Sequence, residues 1–140
     1  MESVRVAEGP DGVSRFYWEL GRRIHHDKAL RNFSPEDALS SAGLDASCAE
    51  GFNDEAFDAT IRERMNRGLM LAGNDIGTPI IAFDTPQGEE LGIFGPVITR
   101  VPSTEDSLKL WDNVISITSI SGFWELKRTR TEKPDFGERP

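Results

Sequence analysis

The sequence predicts a mostly helical α/β fold, and three patterns predict it. Apolar residues recur every three or four positions through much of residues 13–73. Two short apolar runs, residues 79–83 and 91–94, then flank a stretch rich in turn residues. Behind a capping serine, Ser103, a further helical stripe closes the chain. This order gives a helical segment over residues 1–73 and a hairpin–helix half over residues 74–140.

Residues 1–12 are polar, contain Gly9-Pro10 and Gly12, and read as a loose terminus. Val13, Tyr17, Leu20 and Ile24 form one stripe. Gly21 weakens that helix by about 1 kcal/mol relative to Ala. Ser34 is an N-cap, Pro35 suits the first helical position, and Glu36 and Asp37 suit the positive end of the dipole. Gly43 is the expected stop. A third helix is expected from Asn53, with Asp54 and Glu55 in its first turn. Its apolar face is Phe57, Ile61, Met65 and Leu69, and Gly73 ends it.

Residues 79–83 form the first strand, residues 84–90 carry turn chemistry, and residues 91–94 form the second strand. Gly95-Pro96 ends the hairpin. Ser103 caps the last helix, with Glu105 and Asp106 behind it. Leu108, Trp111, Val114, Ile115 and Thr118 line one side, and residues 125–130 extend it. The tail from Thr131, with Pro134 and Pro140, reads as frayed.

Composition excludes several functions. With 37% apolar and 29% charged residues, the chain has the balance of a folded protein rather than a disordered one. A formal charge of −8 disfavours nucleic acid and anionic membranes, which need a basic face. No apolar run approaches the ~20 residues of a membrane span, and residues 1–16 lack a signal-peptide core. A cytoplasmic location is expected. The single cysteine, Cys48, rules out an intrachain disulfide and a cysteine-rich zinc site. Asp45 and Glu50 flank Cys48 and disfavour its thiolate, so it reads as a small, semi-buried residue. His25 and His26 point about 100° apart on a helix and do not chelate one ion; no metal is expected. Tyr17, Trp18, Trp111 and Trp124 read as core. Lys127, Arg128 and Arg130 read as complements to a helix C-terminus. No Gly-rich phosphate loop and no nucleophile–base pair can be placed.

One junction carries more information. In "GNDIGTPIIAF" a proline stands at the mouth of an apolar strand. A hairpin entered through a proline and left into a helix resembles the closing half of a thioredoxin fold, where that proline is usually cis. "GRRIHH", "GNDIGTPIIAF", "FGPVITRVP", "LWDNV" and "FWELKRTRTEKPDF" lie in order over most of residues 20–136. They resemble the actinobacterial DsbA-family oxidoreductases, the group that includes mycothiol-dependent nitroreductases. The resemblance implies a partial thioredoxin-like fold: a helical insertion lobe and a closing strand–strand–helix unit. It also implies a low-molecular-weight thiol or disulfide as partner, with mycothiol used by the complete family member. Gly77, Thr78 and Pro79 would hold the substrate backbone, and His25, in the "RIH" stretch, would line the cleft.

The family's Cys-Pro-x-Cys motif is absent, so no catalytic residue and no cofactor are assigned to this chain. The resemblance therefore implies a fragment or a truncated gene product, redox-inactive on its own. It also implies an unpaired edge on the first strand, hence a homodimer or docking with the missing half. The same fold occurs in glutathione-dependent 2-hydroxychromene-2-carboxylate isomerases, which is the alternative enzyme reading. A noncatalytic, partner-binding remnant is the alternative outside enzymology.

Overall fold

The computed structural model describes residues 1–30, 32–85 and 88–140. It is a mixed, mostly helical α/β chain whose described sheet has two strands. Two compact units are present. One comprises Met1–Glu63 with Glu138–Pro140, the other Arg64–Gly137.

The first unit is helical. Helix α1 spans Glu2–Gly21 and contains a kink at Gly9, which adopts φ +67° and ψ −166°. The expected loose terminus is thus corrected: Gly9-Pro10 bends a helix instead of preceding one. Pro10 is tolerated because it opens the turn after the kink, where no intrahelical donor is required. Val4, on the near side of the kink, is almost fully buried. The apolar face is also rotated from the expected stripe. Phe16 and Glu19 are buried, with Val13 and Leu20 packed beside them, whereas Tyr17 is 67% exposed. A π-helical turn, Arg22–His26, follows.

Helix α2, Pro35–Ser41, forms as its sequence dictates. The Ser34 side chain accepts the Asp37 N–H at 3.2 Å. At the other end Leu44 N–H donates to Leu39 C=O and Gly43 N–H to Ser40 C=O, both at 3.0 Å. This pair is a Schellman motif, and it needs the left-handed residue that Gly43 supplies at φ +67°. Two 3₁₀ turns, Ala46–Phe52 and Glu55–Phe57, are capped by Asp45 and Asp54. Val4, Phe16, Ala38, Leu39, Leu44 and Cys48 form the core. Gly51 lies so close to α1 that a Cβ there would meet Ser3 Cβ at 2.5 Å.

Helix α3, Asp58–Ala72, starts later than expected, after its 3₁₀ turn. Ile61 and Met65 of the expected face are exposed. The packed side is instead the one carrying Gly68 and Leu71. In the second unit β1, Ile80–Asp84, pairs antiparallel with β2, Glu90–Phe94, placing Ala82 opposite Gly92. A Cβ on Gly92 would meet Leu71 Cβ at 2.5 Å, and one on Gly68 would meet Ile80 Cδ1 at 3.3 Å. Arg67 pairs with Glu90 on the same side. Helix α3 therefore covers the sheet face of Ile80, Gly92 and Glu90, and glycine makes that approach possible. Ile81, Phe83, Leu91 and Ile93 project from the other face and are half-buried. The expected turn at 84–90 includes Pro86 and Gln87, which lie outside the described residues. Around them Thr85 N–H donates to Glu89 C=O at 2.8 Å and Gly88 N–H to Thr85 C=O at 2.9 Å.

Helix α4, Thr104–Thr118, is capped by Ser103, whose side chain accepts the Asp106 N–H at 3.1 Å. Val114, Ile115 and Thr118 are at least half-buried, but Leu108 and Trp111 are exposed. The helix stops at Thr118. Gly122 takes φ +84°, and residues 123–130 are irregular, so the expected extension does not form. Lys127, Arg128 and Arg130 are exposed on that irregular chain and complement no helix dipole. The tail is tied down rather than frayed. Asp135 N–H donates to Thr99 C=O at 2.7 Å, and Arg100 pairs with Glu132 at 2.7 Å. Trp18, Trp111 and Trp124, expected as core, are exposed, Trp124 by 88%.

Candidate functional site

The hairpin entrance is built by the end of α3. Gly73, at φ +100°, donates its N–H to Leu69 C=O at 2.8 Å and turns the chain out of the helix. Residues 74–78 then lead to Pro79. The Thr78–Pro79 peptide is cis, and Pro79 C=O accepts the Gly95 N–H at 2.9 Å. The chain leaves the hairpin through a second cis peptide, Gly95–Pro96, which the sequence reading did not identify.

Gly77, Thr78 and Pro79 are all exposed. Among the described residues, neither the N–H nor the C=O of Thr78 has a hydrogen-bond partner. A free donor and a free acceptor side by side, at the head of a strand, can take an extended backbone in the manner of an added strand. Any ligand with an amide backbone offers one complementary donor and acceptor. Gly77, Thr78 and Pro79 themselves carry no thiol, no basic side chain and no cation.

His25 belongs to the helical unit and is described there. It is exposed on the Arg22–His26 turn, and His26 is half-buried. A residue the sequence reading missed organises this turn. Glu19 is buried and accepts hydrogen bonds from Arg22 Nε and Nη2 at 3.0 and 2.7 Å and from Arg23 Nε at 2.7 Å. Burial pushes the Glu19 carboxyl up, but the hydrogen bonds and charges of Arg22 and Arg23 outweigh it and hold the group below its ordinary value. Arg23 continues to Ser41 Oγ at 2.8 Å and lies over the Phe33 ring. The signal was present in the sequence: an acid three and four residues before two arginines shares a helix face with both. At the far end of the turn, Asp27 takes a two-point contact from Arg139 at 2.8 and 3.1 Å.

Cys48 sits in the core of this unit. Burial, Asp45 and Glu8 push its thiol up, so it is a poor thiolate. An open depression of about 260 Å³ lies beside it, lined by Val6, Phe57, Glu50 and Asp54 among others. Among the described residues no group of three or more His, Cys, Asp or Glu could hold a metal ion. No helix among them is long and apolar enough to cross a membrane.

Residues 2–128 match the family described as Rv2466c-like, mycothiol-dependent nitroreductase Rv2466c. The match spans both units and includes Gly77, Thr78, Pro79 and His25.

Proposed function

We propose, from the premise that the chain belongs to the Rv2466c-like mycothiol-dependent nitroreductase family, that it is the substrate-holding part of a mycothiol-dependent reductase and carries no reacting sulfur itself. The family match over residues 2–128 is the observation that carries this reading. In it, the helical unit is the insertion lobe of a thioredoxin-like fold, and the hairpin with α4 is the closing unit. Gly77, Thr78 and Pro79 receive the extended backbone of mycothiol or its disulfide, with Thr78 supplying one donor and one acceptor. His25 lines the substrate side of the lobe.

The reacting thiol comes from outside these residues. Cys48, the one cysteine, is buried and its thiol is pushed up, which supports that division of labour. Mycothiol supplies the sulfur and the reducing electrons, and a dithiol-bearing segment of DsbA type completes the working unit. A single free cysteine suits a reducing cytoplasm.

The test is turnover by the purified 140-residue chain. Reduced mycothiol and a nitroaromatic are incubated with it, and nitro absorbance and free thiol are followed. The expected result is a rate equal to the protein-free control. Turnover that disappears in Cys48→Ser would overturn the reading.

A further inference from the structure

The turn that follows α1 is wound in an uncommon way. Asp27 N–H donates to Arg22 C=O at 3.1 Å, and Ala29 N–H donates to Arg23 C=O at 2.9 Å. Between those two donors Lys28 takes φ +55°, the one left-handed non-glycine residue among those described. A residue with a Cβ is disfavoured in that conformation. Single π turns are themselves rare and recur at functional sites. The sequence here, Arg22-Arg23-Ile24-His25-His26-Asp27-Lys28, offers no glycine to ease the exit.

The contact that grips this exit comes from far along the chain. Arg139 Nε and Nη2 donate to the two Asp27 carboxylate oxygens at 2.8 and 3.1 Å. Among the described residues the Asp27 carboxylate has no other hydrogen-bond partner. Glu138–Pro140 belong to the helical unit, so the grip is internal to it. Arg139 lies outside residues 2–128, the part of the chain that matches the family. Glu19 anchors the start of the turn through Arg22 and Arg23, and Arg139 anchors its end. The Arg139 hydrogen bonds hold the Asp27 carboxyl below its ordinary range, and the charges of Arg23 and His26 add to the effect. Both partners meet water, Arg139 being 50% and Asp27 39% exposed. An ion pair so placed is weakened by salt and opens readily.

We infer that Arg139 is a latch on the Arg22–His26 turn. Closed on Asp27, it keeps the π winding and the left-handed exit, and with them the direction of His25. When it opens, the turn rewinds towards ordinary α geometry and His25 swings about the helix axis. Glu138–Pro140 thus form a salt-sensitive strap on the helical unit. That the swing reshapes a ligand cleft rests on the role given to His25 above; the latch itself does not.

The experiment is amide hydrogen exchange and imidazole chemical shifts of the isotope-labelled full chain, for wild type, Arg139→Gln and Arg139→Lys. Glutamine removes the charge and the two-point fork, and lysine keeps the charge alone. In Arg139→Gln the Asp27 and Ala29 amides, which close the turn, should exchange about three- to fivefold faster, the size expected of one partly exposed ion pair. The His25 ring signals should move with them. Arg139→Lys should fall between the two. Wild type in about 1 M salt, where the Debye length is about 3 Å, should approach Arg139→Gln. The Ala42 and Leu44 amides at the end of α2 should stay unchanged in every sample. Exchange at Asp27 and Ala29 that Arg139→Gln leaves as in wild type overturns the latch. Faster exchange with unmoved His25 signals overturns its hold on His25. No thiol enters these readouts, so their outcome is separate from that of the mycothiol reading.

Discussion

Replacing Gly92 with alanine should loosen the second unit, and the structure gives the size of the effect. A Cβ at that position would sit 2.5 Å from Leu71 Cβ and 3.3 Å from the Leu71 carbonyl carbon. Both are backbone or backbone-adjacent atoms, so no side-chain rotation relieves the clash. Helix α3 must back away from the hairpin. Overpacking of this kind costs about 1–3 kcal/mol, and for a unit of this size each kcal/mol lowers Tm by roughly 4–8 °C. Gly68→Ala is the internal control. Its Cβ would meet Ile80 Cδ1, the movable end of a side chain, at 3.3 Å, and the other Ile80 atoms at ordinary contact distance, 3.8 and 4.0 Å. Alanine also gains about 1 kcal/mol over glycine inside a helix. Gly68→Ala should therefore hold or raise Tm while Gly92→Ala lowers it. Thermal melts followed by circular dichroism decide. Equal losses in the two variants, or none in Gly92→Ala, would refute the placement of α3 on this face.

Glu19→Gln should cost about 1–3 kcal/mol, because it leaves two partly buried arginines short of their carboxylate. Urea melts measure it. The pH dependence has a definite sign. The folded-state value of Glu19 is depressed, so its contribution is complete above the ordinary 4.5 and is lost as pH falls below it. Wild type should weaken on acidification through that range, and Glu19→Gln should weaken less. Cys48 should react with a disulfide reagent at least about tenfold faster in denaturant than in the native protein at pH 7, as its burial and raised thiol value require. Gly43→Ala should destabilise the helical unit by about 1 kcal/mol, since φ is +67° there, as chemical denaturation would reveal.

What the sequence disclosed was what short-range chemistry decides. Ser34 and Ser103 cap helices because a short oxygen-bearing side chain reaches orphan N–H groups wherever the chain enters a helix. The hairpin was legible for the same reason, as two β-rich runs flank a turn. Gly9-Pro10 misled because the pair signals a break in direction and does not say whether helix precedes it. Burial of Val4, a tertiary effect, decided that it does. The rotated face of α1 had a similar origin. A stripe through Tyr17 fits periodicity as well as one through Phe16, and only the core it meets separates them. "ELKRTRTE" carries helix-forming residues yet stays irregular, since Gly122 turns the chain and nothing covers an apolar face there.

The candidate site was legible in one half. Thr78-Pro79 announces itself by a proline at a strand entrance, but the unpartnered backbone of Thr78 emerges only with the strand pairing. Glu19 was overlooked because charge is expected on a helix surface, and this carboxylate is buried against its own helix turn. Its spacing to Arg22 and Arg23 was the available clue.

The central claim is that the chain holds a mycothiol-type ligand at the hairpin entrance without reacting with it. Amide chemical shifts of the isotope-labelled chain, recorded while oxidised mycothiol is added, test this most directly. The account predicts saturable shifts centred on Gly77 and Thr78, with no new mass on the protein afterwards. No shift at those amides, or a covalent adduct on Cys48, would contradict it.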